Sequence, residues 1–357
     1  MQDKPQEDEH YYWIDLLRFL SVLLVIVIHV STPLVNNWRE ASFGDFMVGN
    51  IYDSFSRVSV PVFFMVSGYL LLSKQESVID FYQKRIKKIL IPFVAWSVLY
   101  LLWEGYYLGG GYSFLGIIKS IIYEILTGPT FVHLWFFYAL LGIYALVPIL
   151  RLFVSVAKKN ELWYLVVVWI FSGPLVSLFE KFSNIDIADK FGLIAGYFGY
   201  FVLGYLFSKY DYSRKQIIIF SLFYLILGAG TAIGTWYFSV EKERLFLYFY
   251  DYLSINIIVM SALFFIVVQH WGKKKLPVAN SRKAFLLKKL GETSFGVYLL
   301  HEMVRISLQR GYFGFELTYK TGNPLYSIPI TVLVVYLLSF FAIFLLRKIP
   351  FLRSIVW

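Results

Sequence analysis

Cysteine is absent from all 357 residues. Disulfides, zinc–thiolate centres and a cysteine nucleophile are therefore excluded. Charge is scarce too: Asp, Glu, Lys and Arg make up 16% of the chain against 59% hydrophobic residues, and the mean hydropathy is +0.64. A soluble globular domain does not carry this balance. Also missing are a low-complexity tract, an internal repeat and any shift of composition that would mark a second domain. The longest stretches between the hydrophobic runs on either side of a membrane, 106–132 outside and 272–289 inside, are too short to fold alone. Residues 1–357 thus read as one membrane domain.

What the chain has is apolar runs of about 20 residues, separated by short charged stretches, the pattern of an all-α polytopic bundle. Ten spans are expected, at about 13–34, 55–73, 86–105, 133–155, 161–180, 191–209, 215–238, 250–271, 290–310 and 326–346. A further segment, 112–127 (YSFLGIIKSIIYEILT), is amphipathic and reads as an interfacial helix. The first run reads as a retained span, because acidic residues precede it and no small-residue cleavage site follows its core. With ten spans, 22 of the 33 Lys and Arg fall on the side of the N-terminus, nine on the other, and Arg18 and Arg305 lie within spans. The positive-inside rule then predicts both termini in the cytoplasm. The net charge of +10 is therefore mostly topology. It calls for no nucleic acid, and it suits anionic lipids or an anionic cytoplasmic ligand.

The first span, YWIDLLRFLSVLLVIVIHV (Tyr12 to Val30), keeps Asp15, Arg18 and His29. Hydrocarbon penalises such side chains, so they mark pairing or function. Arg18 and His29 are eleven residues apart, which is about 20° beyond three full helical turns, so they share a face. Asp15 is one turn before Arg18, within pairing reach. His29 lies roughly 16 Å deeper than Arg18. A purely structural reading makes Asp15–Arg18 a pair at the membrane edge and His29 a buried, satisfied histidine.

A second histidine stands in LGETSFGVYLLHEMVRISLQR, where His301 shares a face with Arg305 and, less closely, Tyr298. Glu302 and Arg305, three apart, form a candidate pair; helix-packing glue is the alternative. SRVSVPVFFMVSGYLL, beginning at Ser56, is interrupted by Pro61 and Gly68, and Arg57 marks its outer end. Ser67-Gly68-Tyr69 allows a helix or a thin ligand chain to approach closely. FYQKRIKKILIPF puts Lys84, Arg85, Lys87 and Lys88 at the mouth of the third span. Facing Arg18, these cations would make a phosphate site. HLWFFYALLGIYALVPIL opens with His133, an interfacial or functional residue. His29, His133 and His301 lack i, i+3 or i, i+4 spacing to one another, which argues against metal catalysis.

These blocks, in this order, resemble the membrane acyltransferase 3 family. An Arg, ten residues and a His in the first span is similar to the family's signature, and the resemblance covers about Tyr12 to His301. Within the family the phrases are most similar to the enterobacterial common antigen O-acetyltransferase type. The resemblance implies a ten-helix bundle in the bacterial cytoplasmic (inner) membrane. It implies an O-acetyltransferase that takes acetyl from cytoplasmic acetyl-CoA and passes it to a hydroxyl of a lipid-linked or extracytoplasmic saccharide, with no metal. The family's Arg and His fall on Arg18 and His29, and its paired basic residues on Arg85 and Lys88. Lys88 departs from the commoner Arg, keeping the charge but losing the bidentate fork.

On this reading Arg18, Arg85 and Lys88 hold the phosphates of coenzyme A. Its arm threads between helices toward His29, which acts as general base or transient acyl carrier, with Ser67 and Tyr298 as further candidate substrate-binding residues. His301, Arg57 or Glu302 orients the sugar or the oxyanion. A succinyl donor fits the same motifs. A transporter or glycan translocase fits the broken, charged spans, although no second half repeats the breaks; a non-catalytic assembly factor leaves the Arg18–His29 register unexplained.

Overall fold

The computed structural model describes residues 11–107, 114–183, 196–275 and 281–356. Among these the regular structure is entirely helical. In chain order the helices are α1 (Tyr12–Asn36), α2 (Phe43–Ser56), α3 (Ser59–Leu72), α4 (Val78–Arg85), α5 (Ile91–Tyr107), α6 (Phe114–Thr127), α7 (Trp135–Val156), α8 (Lys159–Ser172), α9 (Pro174–Ser183), α10 (Phe198–Phe207), α11 (Arg214–Glu241), α12 (Ile255–Lys275), α13 (Arg282–Gln309), α14 (Pro324–Leu346) and α15 (Pro350–Arg353). The interfacial segment 112–127 is the helix α6 from Phe114; its first two residues, and the start of the span expected at 191–209, lie outside the described residues.

Among the described residues, eight helical stretches are long and apolar enough to cross a membrane. The other two expected spans are helical but different in kind. α10 has ten residues, about 15 Å of rise, too short to cross alone. α13 has 28 residues but carries too much charge to pass as apolar. Its buried face explains this: Gly291, Thr293, Ser294, Tyr298, His301 and Glu302 pack inside the protein, where lipid exerts no demand for apolar side chains. α1, α2–α3 and α12 form the centre with it. In the most apolar window of Phe43–Leu72, 67% of residues are buried, against 22% for Arg214–Glu241, which runs along the rim.

Prolines and glycines set the local geometry. Pro92 cannot donate to the carbonyl four residues earlier, and the chain widens just before it into a π-helical turn over Ile86–Leu90, with the Ile91 amide bonding the Ile86 carbonyl. That turn carries Lys87 and Lys88 between α4 and α5. α3 and α10 meet backbone to backbone. A Cβ on Gly68 would lie 1.8 Å from the Phe201 carbonyl oxygen, and one on Gly204 would lie 1.9 Å from that of Met65. Gly68 therefore serves helix packing, while its neighbour Ser67 faces a cavity. Gly291 brings α13 onto α1 at Asp15, whose Cβ would be 2.4 Å from an added methyl.

Candidate active site

Two helices and a turn bring one histidine each to a common point. His29 comes from α1, His301 from α13, and His133 from the turn before α7. The His301 ring is 5.2 Å from that of His29 and 5.1 Å from that of His133, centroid to centroid. His133 and His301 are buried, and His29 keeps 19% of its side chain exposed. Nδ1 of His301 lies 2.6 Å from the Tyr298 carbonyl oxygen. A carbonyl only accepts, so Nδ1 carries the hydrogen and Nε2 of the neutral ring is bare. Tyr298 in turn donates its hydroxyl to the His133 carbonyl at 2.6 Å, and Tyr100 donates to the Leu299 carbonyl at 2.8 Å. These bonds fasten α13 to the segment carrying His133 and to α5.

Glu302 is the anion of this cluster and is 1% exposed. Its Oε1 lies 3.7 Å from Nδ1 of His29 and 3.9 Å from Nε2 of His301. Arg305, one turn on, donates to both carboxylate oxygens at 2.7 and 2.9 Å and to Gln309 at 2.9 Å. The Glu302–Arg305 spacing read from the sequence is thus a bidentate pair, the geometry in which a buried carboxylate remains ionised. From 3.7 Å the carboxylate favours a hydrogen on the near nitrogen of His29 by charge alone, the tautomer whose other nitrogen accepts a proton. Pro33 contributes as well: it has no N–H for the carbonyl of His29, four residues back, so α1 loses a hydrogen bond at that residue.

Toward the N-terminal end of α1 a cavity of about 470 Å³ opens. Arg18, Arg85, Lys88, Ser67 and Tyr298, all five singled out by sequence, line it, together with Arg347 and Glu292. Arg18 lies 3.9 Å from Asp15 and remains 38% exposed. Arg85 is 3.6 Å from Glu76, which Lys84 and Arg151 hold at 2.7 and 2.8 Å. Arg347 sits 3.7 Å from Glu292. Cations thus outnumber acids on one rim, while Phe63, Val66, Leu70 and Phe136 make the deeper wall apolar. Tyr298 belongs to that wall, and its ring lies 5.5 Å from His133 and 5.8 Å from His301, so the apolar end of the cavity abuts the histidines.

Arg57 stands apart from this cavity. Its Nε is 2.6 Å from Asp53, which also accepts from Thr32 at 2.9 Å, and its guanidinium lies 4.4 Å from the centre of the Tyr250 ring. This knot ties α1, α2 and the Tyr248–Tyr250 turn together.

Linear spacing argued against a metal, yet donor atoms of His29, His301 and Glu302 lie within 4.8 Å of one another. The fold assembles from two helices a set that no one helix encodes. Sequence reading also passed over Arg347, which looked like an ordinary basic residue beyond a span, and the His29-x3-Pro33 spacing, a visible sign of a locally opened helix.

The sequence profile of the acyltransferase 3 family, described as an acyltransferase domain, matches residues 11–347. YfiQ of Bacillus subtilis, described as a membrane-bound acyltransferase, is 24% identical over 80% of this chain and 78% of its own length. A serine/alanine racemase of Enterococcus gallinarum is 24% identical over 81% of this chain, and an amino-acid racemase of Enterococcus faecalis is 31% identical over 36% of it. The aligned stretch spans only 40% and 17% of those two racemases. No solved structure matches. With a match over residues 11–347, the chain belongs to the acyltransferase 3 family, as a membrane acyltransferase built from many apolar helices.

Proposed function

We propose that the protein is an O-acetyltransferase of the bacterial cytoplasmic membrane. It moves acetyl from cytoplasmic acetyl-CoA to a hydroxyl of a lipid-linked or extracytoplasmic saccharide, enterobacterial common antigen being one acceptor of this class. The bundle crosses the membrane ten times, α10 and α13 included, with both termini in the cytoplasm. The carrying observation is that a cation-rimmed, apolar-walled cavity abuts a buried His–carboxylate cluster. Coenzyme A has complementary parts, a polyanionic head and a thin arm ending in a thioester.

Arg18, Arg85, Lys88 and Arg347 hold the phosphates, and the arm runs along Ser67 and Tyr298. His29, oriented by Glu302, takes the proton of the acceptor hydroxyl as its oxygen attacks the thioester carbonyl. The carbon–sulfur bond breaks, the acetyl ester forms, and the proton passes from His29 to the departing thiolate, releasing coenzyme A. Racemisation is not proposed, since the shared stretch is a minor part of both racemases.

The test is transfer of radiolabel from acetyl-CoA to membrane glycolipid by matched amounts of wild type and variant in membranes. His29→Ala should lower the rate by about 10²–10⁴-fold. Arg18→Ala should raise KM for acetyl-CoA with little change in kcat. Equal labelling by His29→Ala and wild type removes His29 from the chemistry. No labelling by wild type, with glycan flux across the membrane instead, returns the translocase reading.

A further inference from the structure

On the opposite side of the histidine cluster, toward the C-terminal end of α1, lies a second pocket of about 270 Å³. Its floor is Arg305, the cation already paired with Glu302. Val30 and Pro33, just past His29, form one wall. Above them are Gln309, Thr331 and the loop carrying Glu316 and Lys320. The Thr331 hydroxyl is the telling group. Thr331 is 1% exposed, its oxygen has no hydrogen-bond partner, and it lines the pocket. An unsatisfied buried hydroxyl costs about 1–3 kcal/mol, which a ligand hydroxyl would offset. Gln309 accepts from Arg305 through its oxygen, so its amide hydrogens are directed elsewhere.

The pocket has charge but no net charge: Arg305 is neutralised by Glu302, and Glu316 and Lys320 oppose each other. Its volume falls just below the range of roughly 300–1,000 Å³ for drug-sized ligands. These features fit a single uncharged polyol ring, with hydroxyls for Thr331 and Gln309 and a C–H face for Val30, Pro33 and the Tyr319 ring. We propose that this pocket seats one neutral pyranose of the acceptor, with a hydroxyl directed past Val30 to His29, and that Thr331 and Gln309 select it. This assignment rests on the acetyltransferase reading above. Donor and acceptor then meet at His29 from opposite sides.

The experiment uses the full-length protein in proteoliposomes, labelled acetyl-CoA and extracted lipid-linked saccharides as acceptor. Methyl hexopyranosides and methyl hexuronides are added as competitors. The neutral sugars should compete at least tenfold better than the uronides. Thr331→Val, nearly isosteric, and Gln309→Ala should each weaken that competition about tenfold and raise acceptor KM alike, with the KM for acetyl-CoA unmoved. Equal competition by neutral and acidic sugars, or wild-type competition in both variants, overturns the pocket while leaving the transferase standing. No labelled product from wild type overturns the transferase reading and this assignment with it.

Discussion

At the scale of single residues, Glu302 is the group on which most depends. It faces two histidines and bonds Arg305 through both oxygens. Removing one partner of a buried pair leaves the other uncompensated, at a cost of about 3–5 kcal/mol. Glu302→Gln should therefore lower kcat far more than it changes the KM for acetyl-CoA, and it should lower the melting temperature in detergent. Normal kcat in a folded Glu302→Gln protein would show that His29 works without it. The metal question belongs to this scale too. Arg305 already neutralises the carboxylate, so acid–base chemistry should run without a metal. Extended treatment with a chelator should leave the transfer rate unchanged; loss of activity restored by Zn²⁺ would make His29, His301 and Glu302 a metal centre instead.

At the scale of elements, two contacts bear directly on the site. The α3–α10 crossing has no room for a side chain at Gly68 or Gly204. Gly68→Leu should cost at least the roughly 1–3 kcal/mol of overpacking, seen as lower yield and melting temperature; an unchanged melting temperature would mean the helices stand further apart. The second contact is the Glu76 knot, which joins the end of α3 to α4 and α7. Burial pushes this carboxyl up, but hydrogen bonds and charge from Lys84 and Arg151 outweigh it and hold the group down at about 2. Its folded value is below the ordinary value of 4.5, so its stabilisation is complete above that pH and is lost as pH falls toward about 2. The melting-temperature gap between wild type and Glu76→Gln should shrink over that interval. A gap independent of pH would assign the loss to packing.

At the scale of the whole molecule, the prediction concerns orientation. The absence of cysteine makes the chain its own background for single-cysteine labelling. With ten crossings, Ser354→Cys, after α15, should react with an impermeant thiol reagent only in inverted vesicles, and Gly44→Cys, in the loop-proximal turn of α2, only in spheroplasts. Both sites reacting from one side would require an odd number of crossings between them to be redrawn.

The sequence by itself determined the all-helical membrane architecture, because lipid forces every exposed backbone group into helical hydrogen bonds and every lipid-facing side chain toward apolarity. It also determined the residues that break that rule: Arg18, His29, His301, Glu302 and Arg305 stand out because hydrocarbon would penalise them. The Glu302–Arg305 pair was legible since its spacing lies within one helix. Contacts between helices were not. Only the tertiary structure decided that His133 joins His29 and His301, that Arg57 pairs with Asp53 away from the basic cavity, that Arg347 lines that cavity, and that Thr331 is left without a partner beside the second pocket. Helical periodicity says which way a side chain points around its own axis. What it meets there depends on how neighbouring helices cross, and that was set by close approaches at glycines such as Gly291 against Asp15, far along the chain from the side chains they bring together.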